Sequence, residues 1–200
     1  MSPLERSELD DDPLAQFARW IEEAGALHAE PQAMAIATAT PDGRPSARMV
    51  LLKRFDERGF VFVTDYNSRK ASELESNPRA ALLFHWDPPG RQVRIEGTVE
   101  RTTAAETREL VKARARESRL VSISSRQSEP LDARETLAAD VRRLEERYAG
   151  RELPVPDDWG GYRVIPESFE FWQKGAARFH DRFRYTAGAG GSWAVQRLYP

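Results

Sequence analysis

Between residues 33 and 102 the chain repeats one pattern, in which short apolar runs alternate with tight turn clusters. AMAIATAT, starting at Ala33, is followed by Pro41-Asp42-Gly43-Arg44-Pro45, then SARMVLLKRF, the turn Asp56-Glu57-Arg58-Gly59, and FVFVT. Turn residues in this arrangement bound strands rather than helices. A parallel pair needs a crossover of a dozen or more residues, so strands joined this closely run antiparallel, as a meander. RAALLFHW and RQVRIEGTVERT, separated by Asp87-Pro88-Pro89-Gly90, extend it, and YRVIP, FEFWQ, RFRYT and SWAVQRL supply strands near the C-terminal end.

Helices interrupt the strands. Asp12-Pro13 reads as an N-cap with proline at the first helical position, followed by Leu14, Phe17, Ala18, Ile21 and Ala24 at helical spacing until Gly25. A short helix follows Ser68, and Thr103–Glu106 forms a capping box that opens a helix to about residue 115. Asp132–Glu135 opens another, with Leu137, Val141, Leu144 and Tyr148 on one face and a solvated charge run opposite. Residues 1–12 are polar and acidic and are expected to form a mobile arm; residues 13–200 form one domain. The fold class is mainly β, a small antiparallel barrel with four or five flanking helices.

Composition narrows the chemistry. Thirty Lys and Arg against 32 Asp and Glu leave a formal charge of −2, which argues against general nucleic-acid binding. The chain has no cysteine, which removes disulfides, thiolate nucleophiles and iron–sulfur clusters, and its three histidines lack ligand spacing, so no metal is expected. No apolar run reaches the roughly 18–20 residues of a membrane span, and MSPLERSELDDD lacks the marks of a secretory signal. The expectation is a soluble cytoplasmic protein without a membrane or nucleic-acid partner.

Three segments carry chemistry. In a strand, Arg48, Val50 and Leu52 share one face while Met49, Leu51 and Lys53 share the other, leaving cations at the ends of an apolar run. Thr64-Asp65-Tyr66-Asn67-Ser68-Arg69-Lys70 leads from a strand end into a helix start rich in hydroxyls and cations, which suits a phosphate; a plain Ser68 N-cap with two solvated cations competes. Arg178, His180 and Arg182 alternate, so a strand would gather them on one face, either around an anionic ligand or as an aggregation-resistant edge.

Taken together, RMVLLK (48–53), FVFVTDYNSRKASELESNPRAALLFHW (60–86), RQVRIEG (91–97), SRQSE (125–129), WGGYRV (159–164), EFWQ-x₄-RFHDRFRY (170–185) and the terminal RLYP resemble the pyridoxine 5′-phosphate oxidase family of flavin enzymes, over nearly the whole chain. The resemblance implies a homodimeric split β-barrel with FMN sites at the subunit interface and a dimerisation and active-site region at about 155–200. It implies FMN binding by the strand Arg48-Met49-Val50-Leu51-Leu52-Lys53, with Arg48, Arg69 and Lys70 on the phosphate beside Ser68. Val63 and Thr64 would approach the flavin, Gln92 would meet the ring edge, and Trp172 and Arg182 would complete that side. Gln127 and Ser128 would reach the cofactor from the partner subunit.

The same resemblance assigns Lys53, Arg114 and Ser118 to the substrate phosphate and sets Arg178 and His180 beside the pyridine ring. The implied reaction moves a hydride from substrate C4′ to flavin N5, giving pyridoxal 5′-phosphate, and O₂ then reoxidises the cofactor to give H₂O₂. Two departures stand out: Leu110 replaces a phosphate-binding Tyr, and the N-terminal arm lacks a Met-Arg-x-x-Tyr stretch common in the family. The alternatives are a phenazine-biosynthesis-type FMN oxidase, which SISSRQSE (122–129) also resembles, and a non-catalytic split barrel that carries flavin or pyridoxal phosphate. Lys53 and WGGYRV favour the vitamin B₆ reading.

Overall fold

The computed structural model describes residues 2–200, which form nine strands and five α-helices. Helix α1 (Pro13–Gly25) precedes β1 (Ala33–Ala39), β2 (Pro45–Leu51), β3 (Arg54–Asp56) and β4 (Gly59–Asp65). Next come α2 (Arg69–Ser76), β5 (Arg79–Trp86), β6 (Arg91–Arg101), α3 (Ala104–Lys112), α4 (Arg116–Ser124) and α5 (Arg134–Arg147). The chain ends with β7 (Trp159–Gln173), β8 (Asp181–Ala187) and β9 (Trp193–Leu198).

All pairings are antiparallel, in the order β2-β1-β5-β6-β7-β4-β3, with β8 on β7 and β9 on β8. Strands β2 and β3 lie at opposite ends of this path yet are consecutive in sequence. Across the two residues between them, Leu52 N–H donates to the Gln32 carbonyl at 2.9 Å and Lys53 N–H to the Val61 carbonyl at 2.8 Å. The sheet therefore curls back on itself, as the split-barrel expectation requires. Alternation fills the interior: Met34, Ile36, Phe60, Phe62, Leu82, Phe84, Val93, Ile95, Phe169 and Phe171 are fully buried. Helix α1 inserts Phe17 among Phe55, Phe60 and Phe84, edge to face at 4.9–5.0 Å, and Trp20 against Phe171.

Several expectations change. YRVIP and FEFWQ belong to one strand, β7, whose first half pairs with β4 and whose second half pairs with β8. Pro166 is tolerated inside it because it faces Gly97, where the β6–β7 register shifts at a bulge. The helix expected to about residue 115 ends at Lys112, and α4 starts separately at Arg116. Asp132 caps nothing: α5 begins at Arg134 with Ala133 at the N-cap, and the helix rests on α4 through its half-buried apolar face.

Residues 2–12 are not a free arm. Leu4 and Leu9 are buried, Arg6–Glu8 form a 3₁₀ turn, and Leu4 N–H donates to Asp181 Oδ2 at 2.9 Å. Arg197 donates to the Leu4 carbonyl and the Tyr185 hydroxyl to the Asp10 carbonyl. The acidic composition concealed two leucines able to anchor the segment across β8 and β9.

Candidate active site

At one end of the barrel β1, β2, β4 and α2 converge on a cationic cradle. Strand alternation turns Arg48 inward and leaves Met49 65% exposed. Arg48 donates to the Thr38 hydroxyl at 2.7 Å and to the Ser46 hydroxyl, and it meets Glu73 at 3.4 Å. Arg69 approaches the other oxygen of Glu73 at 2.9 Å, one helical turn away. Glu73 is 4% exposed and also accepts from Thr38 and Ser46, both at 2.5 Å. Burial by itself raises the Glu73 carboxyl, but the hydroxyls of Ser46 and Thr38 and the Arg69 guanidinium bring it down to about 2.

That shift has a consequence for stability. A carboxylate whose folded pKa lies below its ordinary 4.5 stabilises the fold above that value and loses its contribution as pH falls toward about 2. Glu73→Gln is expected to flatten the loss of stability across this window, read from denaturant midpoints at successive pH values. An unaltered acid slope would show that Glu73 is not the linked group.

Lys70 differs from the arginines. Its ammonium is buried, at 6% exposure, and donates to Thr64 Oγ1 at 2.9 Å, Gln127 Oε1 at 2.7 Å and Ser68 Oγ at 3.3 Å. Among the described residues no carboxylate lies within ion-pair distance of it. Burial first, and then the field of Arg48, lower its pKa to about 8, against a weaker pull from Asp65. A buried cation surrounded by neutral oxygens is stabilised by an incoming anion. Ser68 occupies the N-cap of α2 but turns its hydroxyl back to the Asp65 carbonyl at 2.6 Å, while Arg69 N–H donates to Ser128 Oγ at 3.2 Å. The helix start, Arg48, Arg69 and Lys70 thus fit the phosphate of FMN in the chemistry of their donors.

A second set of cations follows β2. Burial and then the field of Arg114 lower the Lys53 ammonium, against a smaller pull from Glu30, and burial lowers Arg114 as well. Arg114 lies 4.8 Å over the Trp159 ring. Lys53, in the two-residue link between β2 and β3, thus lies within the fields of both Arg114 and Glu30. Ser118 is exposed on α4, and its carbonyl accepts from Ser122; among the described residues its hydroxyl holds no bond to Lys53 or Arg114.

The third part is a row across the outer face of the sheet: Gln92, Trp172 and Arg182 stand directly opposite one another on β6, β7 and β8. Glu170, almost fully buried, grips Arg182 through both oxygens at 2.9 and 3.1 Å and also binds Arg94 at 3.1 Å. The His180 ring lies 4.7 Å from that of Trp172, and its Nδ1 accepts from Gly175 N–H at 3.2 Å. That bond leaves Nε2–H as the ring's donor. Arg178 and His180 are not on a strand with Arg182, as alternation suggested. They sit in a tight turn before β8, with Ala177 at φ 49° and Arg178 at φ 65°. The turn needs Gly175, because a Cβ there would lie 1.8 Å from the Phe179 carbonyl oxygen.

Residues 21–148 match the family described as pyridoxamine 5′-phosphate oxidase, and residues 159–200 match the pyridoxine 5′-phosphate oxidase C-terminal dimerisation region. The chain belongs to the pyridoxamine 5′-phosphate oxidase family. The pyridoxine/pyridoxamine 5′-phosphate oxidase of Rubrobacter xylanophilus is 55% identical over 193 residues, covering 96% of this chain and 88% of its relative. That of Gluconobacter oxydans is 50% identical and fully covers both chains. Among solved structures, PhzG from Burkholderia lata 383, bound to tetrahydrophenazine-1-carboxylic acid, has a TM-score of 0.92 at 34% identity, covering 100% of this chain and 99% of that one. An FMN-binding protein from Nostoc punctiforme shares the fold at a TM-score of 0.74 and 15% identity, covering 96% and 100%. FMN is thus the cofactor of an antiparallel split-barrel oxidoreductase.

One expectation drawn from the oxidase family changes. Gln127 and Ser128 contact Lys70, Thr64 and Arg69 of their own chain, so no partner subunit is needed to bring them there. Within Arg48–Lys53, Leu52 turns into the core and its N–H is already used, leaving its carbonyl for any ligand. Val63, half-buried, pairs with Gly161, and Leu110 places no donor on α3. Sequence reasoning missed Glu73, Glu170 and Trp159. Glu73 follows Arg69 by four helical positions and Glu170 precedes Trp172 by two strand positions, so both signals were present.

Proposed function

We propose that this chain oxidises pyridoxine 5′-phosphate and pyridoxamine 5′-phosphate to pyridoxal 5′-phosphate, with FMN as cofactor and O₂ as final acceptor. The observation that carries the reading is two separate groups of cations, one around Lys70 and one at Lys53 and Arg114, each of a chemistry that suits a phosphate. An oxidase with a phosphorylated cofactor and a phosphorylated substrate needs two. Bound FMN supplies the redox chemistry, taking two electrons from the substrate carbon and passing them to O₂, which leaves as H₂O₂; the amine substrate also consumes water and releases ammonia.

The protein's part is binding and orientation. Arg48, Arg69 and Lys70 would hold the cofactor phosphate, with Ser68, Gln127 and Thr64 fixing Lys70 and Ser128 accepting from the Arg69 N–H. Gln92, Trp172 and Arg182 would border the ring, Arg182 being set by Glu170. Lys53, Arg114 and Ser118 would hold the substrate phosphate, while Arg178 and the Nε2–H of His180 would polarise and align the pyridine. No strong general base is required, since His180 is held as a donor.

A cytoplasmic homodimer is part of the same proposal. The outward residues of β1 and β2 and the middle of β5 are small or apolar, with Arg79 and His85 at the two ends of β5: Ala35 stands opposite Met49 on one side and Leu83 on the other, and Ala37 opposite Ala47 and Ala81. Such a smooth exposed face suits a second copy. No helix among the described residues is long and apolar enough to cross a membrane.

The test is oxygen consumption by FMN-loaded protein with each B₆ phosphate in parallel. Both substrates should yield pyridoxal 5′-phosphate and peroxide. Yellow, flavin-loaded protein that consumes no oxygen with either would refute the reading. Turnover of a reduced phenazine carboxylate instead would favour the second reading, which the likeness to PhzG and the absence of a donor at Leu110 support.

A further inference from the structure

Next to Lys53 and Arg114 in the chain lies a charge network, built on the buried Arg163, that belongs to neither group of cations. Arg163 on β7 is 2% exposed and donates to Asp56 Oδ1 at 3.0 Å and to Glu106 Oε1 at 2.8 Å. Arg54 reaches the same Glu106 oxygen at 2.9 Å, and Arg58 bridges Glu106 at 3.1 Å and Asp56 at 2.9 Å. Glu106 is also the carboxylate of the capping box with Thr103 that starts α3. Backbone and hydroxyl bonds from Thr103, with the fields of Arg163 and Arg58, keep it ionised despite burial.

The positions of these groups matter. Arg54 directly follows Lys53, and Arg114 lies just beyond the end of α3, past its C-cap Ala113. The network therefore ties β3, which starts directly after Lys53, to α3, which ends two residues before Arg114. The field of Arg114 acts against a charged Lys53, so a network that fixes the two elements flanking them also sets how near the two cations stand. Helix α3 is seated on β7, where Gly161 N–H donates to Thr107 Oγ1 at 3.4 Å, and Thr102, just before the helix, donates its N–H to the Gly161 carbonyl at 2.9 Å. A shift at Glu106 is thus passed along a rigid element to Arg114.

We infer that Glu106 and Arg163 are positioning residues for the substrate phosphate, setting the spacing of Lys53 and Arg114. The inference rests on the reading of Lys53 and Arg114 as the substrate-phosphate seat. Neither Glu106 nor Arg163 touches the substrate; both act through the pair they hold.

The experiment uses the FMN-loaded protein and its Glu106→Gln variant, with pyridoxine 5′-phosphate as substrate and inorganic phosphate as competitor. KM and the phosphate inhibition constant should rise together by about tenfold, the equivalent of 1.4 kcal/mol, with kcat within about twofold and FMN affinity unchanged. Arg54→Met, at a partly exposed position, is the milder second variant and should shift both constants in the same direction. Variants that melt earlier but keep wild-type KM and phosphate inhibition would overturn the inference and leave a purely structural network. Lys53→Met separates the two levels. If it raises KM while Glu106→Gln does not, the positioning role fails and the seat stands; if it leaves KM untouched, the seat fails and the inference with it.

Discussion

Arg178→Ala is expected to lower kcat by about 10²–10³, the loss typical of removing one oriented donor from a site where charge shifts during reaction, while FMN stays bound. Among the described residues no side-chain bond holds the Arg178 guanidinium, and Arg178 stands exposed in a turn with φ 65°, a left-handed conformation that costs an L-residue energy. Holding an unpartnered guanidinium in a strained turn, next to a histidine whose tautomer is fixed by Gly175, makes sense if a ligand completes it. Steady-state oxygen consumption and the flavin absorbance of the purified variant, measured on one preparation, check the claim. Loss of flavin in step with activity would move Arg178 to the cofactor side.

The second large effect concerns Lys70. Lys70→Met should weaken FMN binding by about 10–150-fold, since a hydrogen bond to a charged group contributes about 1.5–3 kcal/mol. It should do so without lowering the stability of the cofactor-free protein, because the ammonium is buried without an acid. Binding a phosphate raises the Lys70 pKa from about 8. Wild-type affinity should therefore be level where the phosphate is a dianion, above roughly pH 6, up to about 8, and then fall as pH rises toward the bound-state pKa. In Lys70→Met the alkaline fall should vanish. Fluorescence titration of FMN from pH 6 to 10 measures both effects, and an alkaline limb that persists in the variant would assign it to another group.

How much of this was legible beforehand varied with the kind of signal. Strand runs and short turns dictated an antiparallel meander, and the Asp12-Pro13 and Thr103–Glu106 starts were readable because capping is local. The union of YRVIP and FEFWQ was not, because Pro166 reads as a break until the bulge opposite Gly97 is known. Clustering followed the same rule. Lys70 beside Arg69 was visible in the motif, but its contact with Gln127 spans 57 residues and depends on the loop that returns after α4. The error at Arg178 and His180 had a definite cause: alternation was taken for a strand where Gly175 makes a turn. Carboxylates that hold arginines in place, such as Glu73 and Glu170, carry no motif of their own and gain their role only when folding brings Arg48 and Arg182 onto them.

The N-terminal segment's seat has a consequence for how the chain matures in the cell. Leu4 N–H finds its partner at Asp181, 177 residues further along. At a synthesis rate of roughly 5–20 residues per second, that partner emerges about 10–35 s after the segment itself. Until then Leu4 and Leu9 have nowhere to dock, and the turn bearing Arg178 and His180 does not yet exist. The active-site turn and the segment braced beside it are therefore completed together, late, after the barrel strands have been made. A nascent chain halted before β8 would hold the Arg48–Lys70 cradle's strands and helix but none of the chemistry of the C-terminal turn.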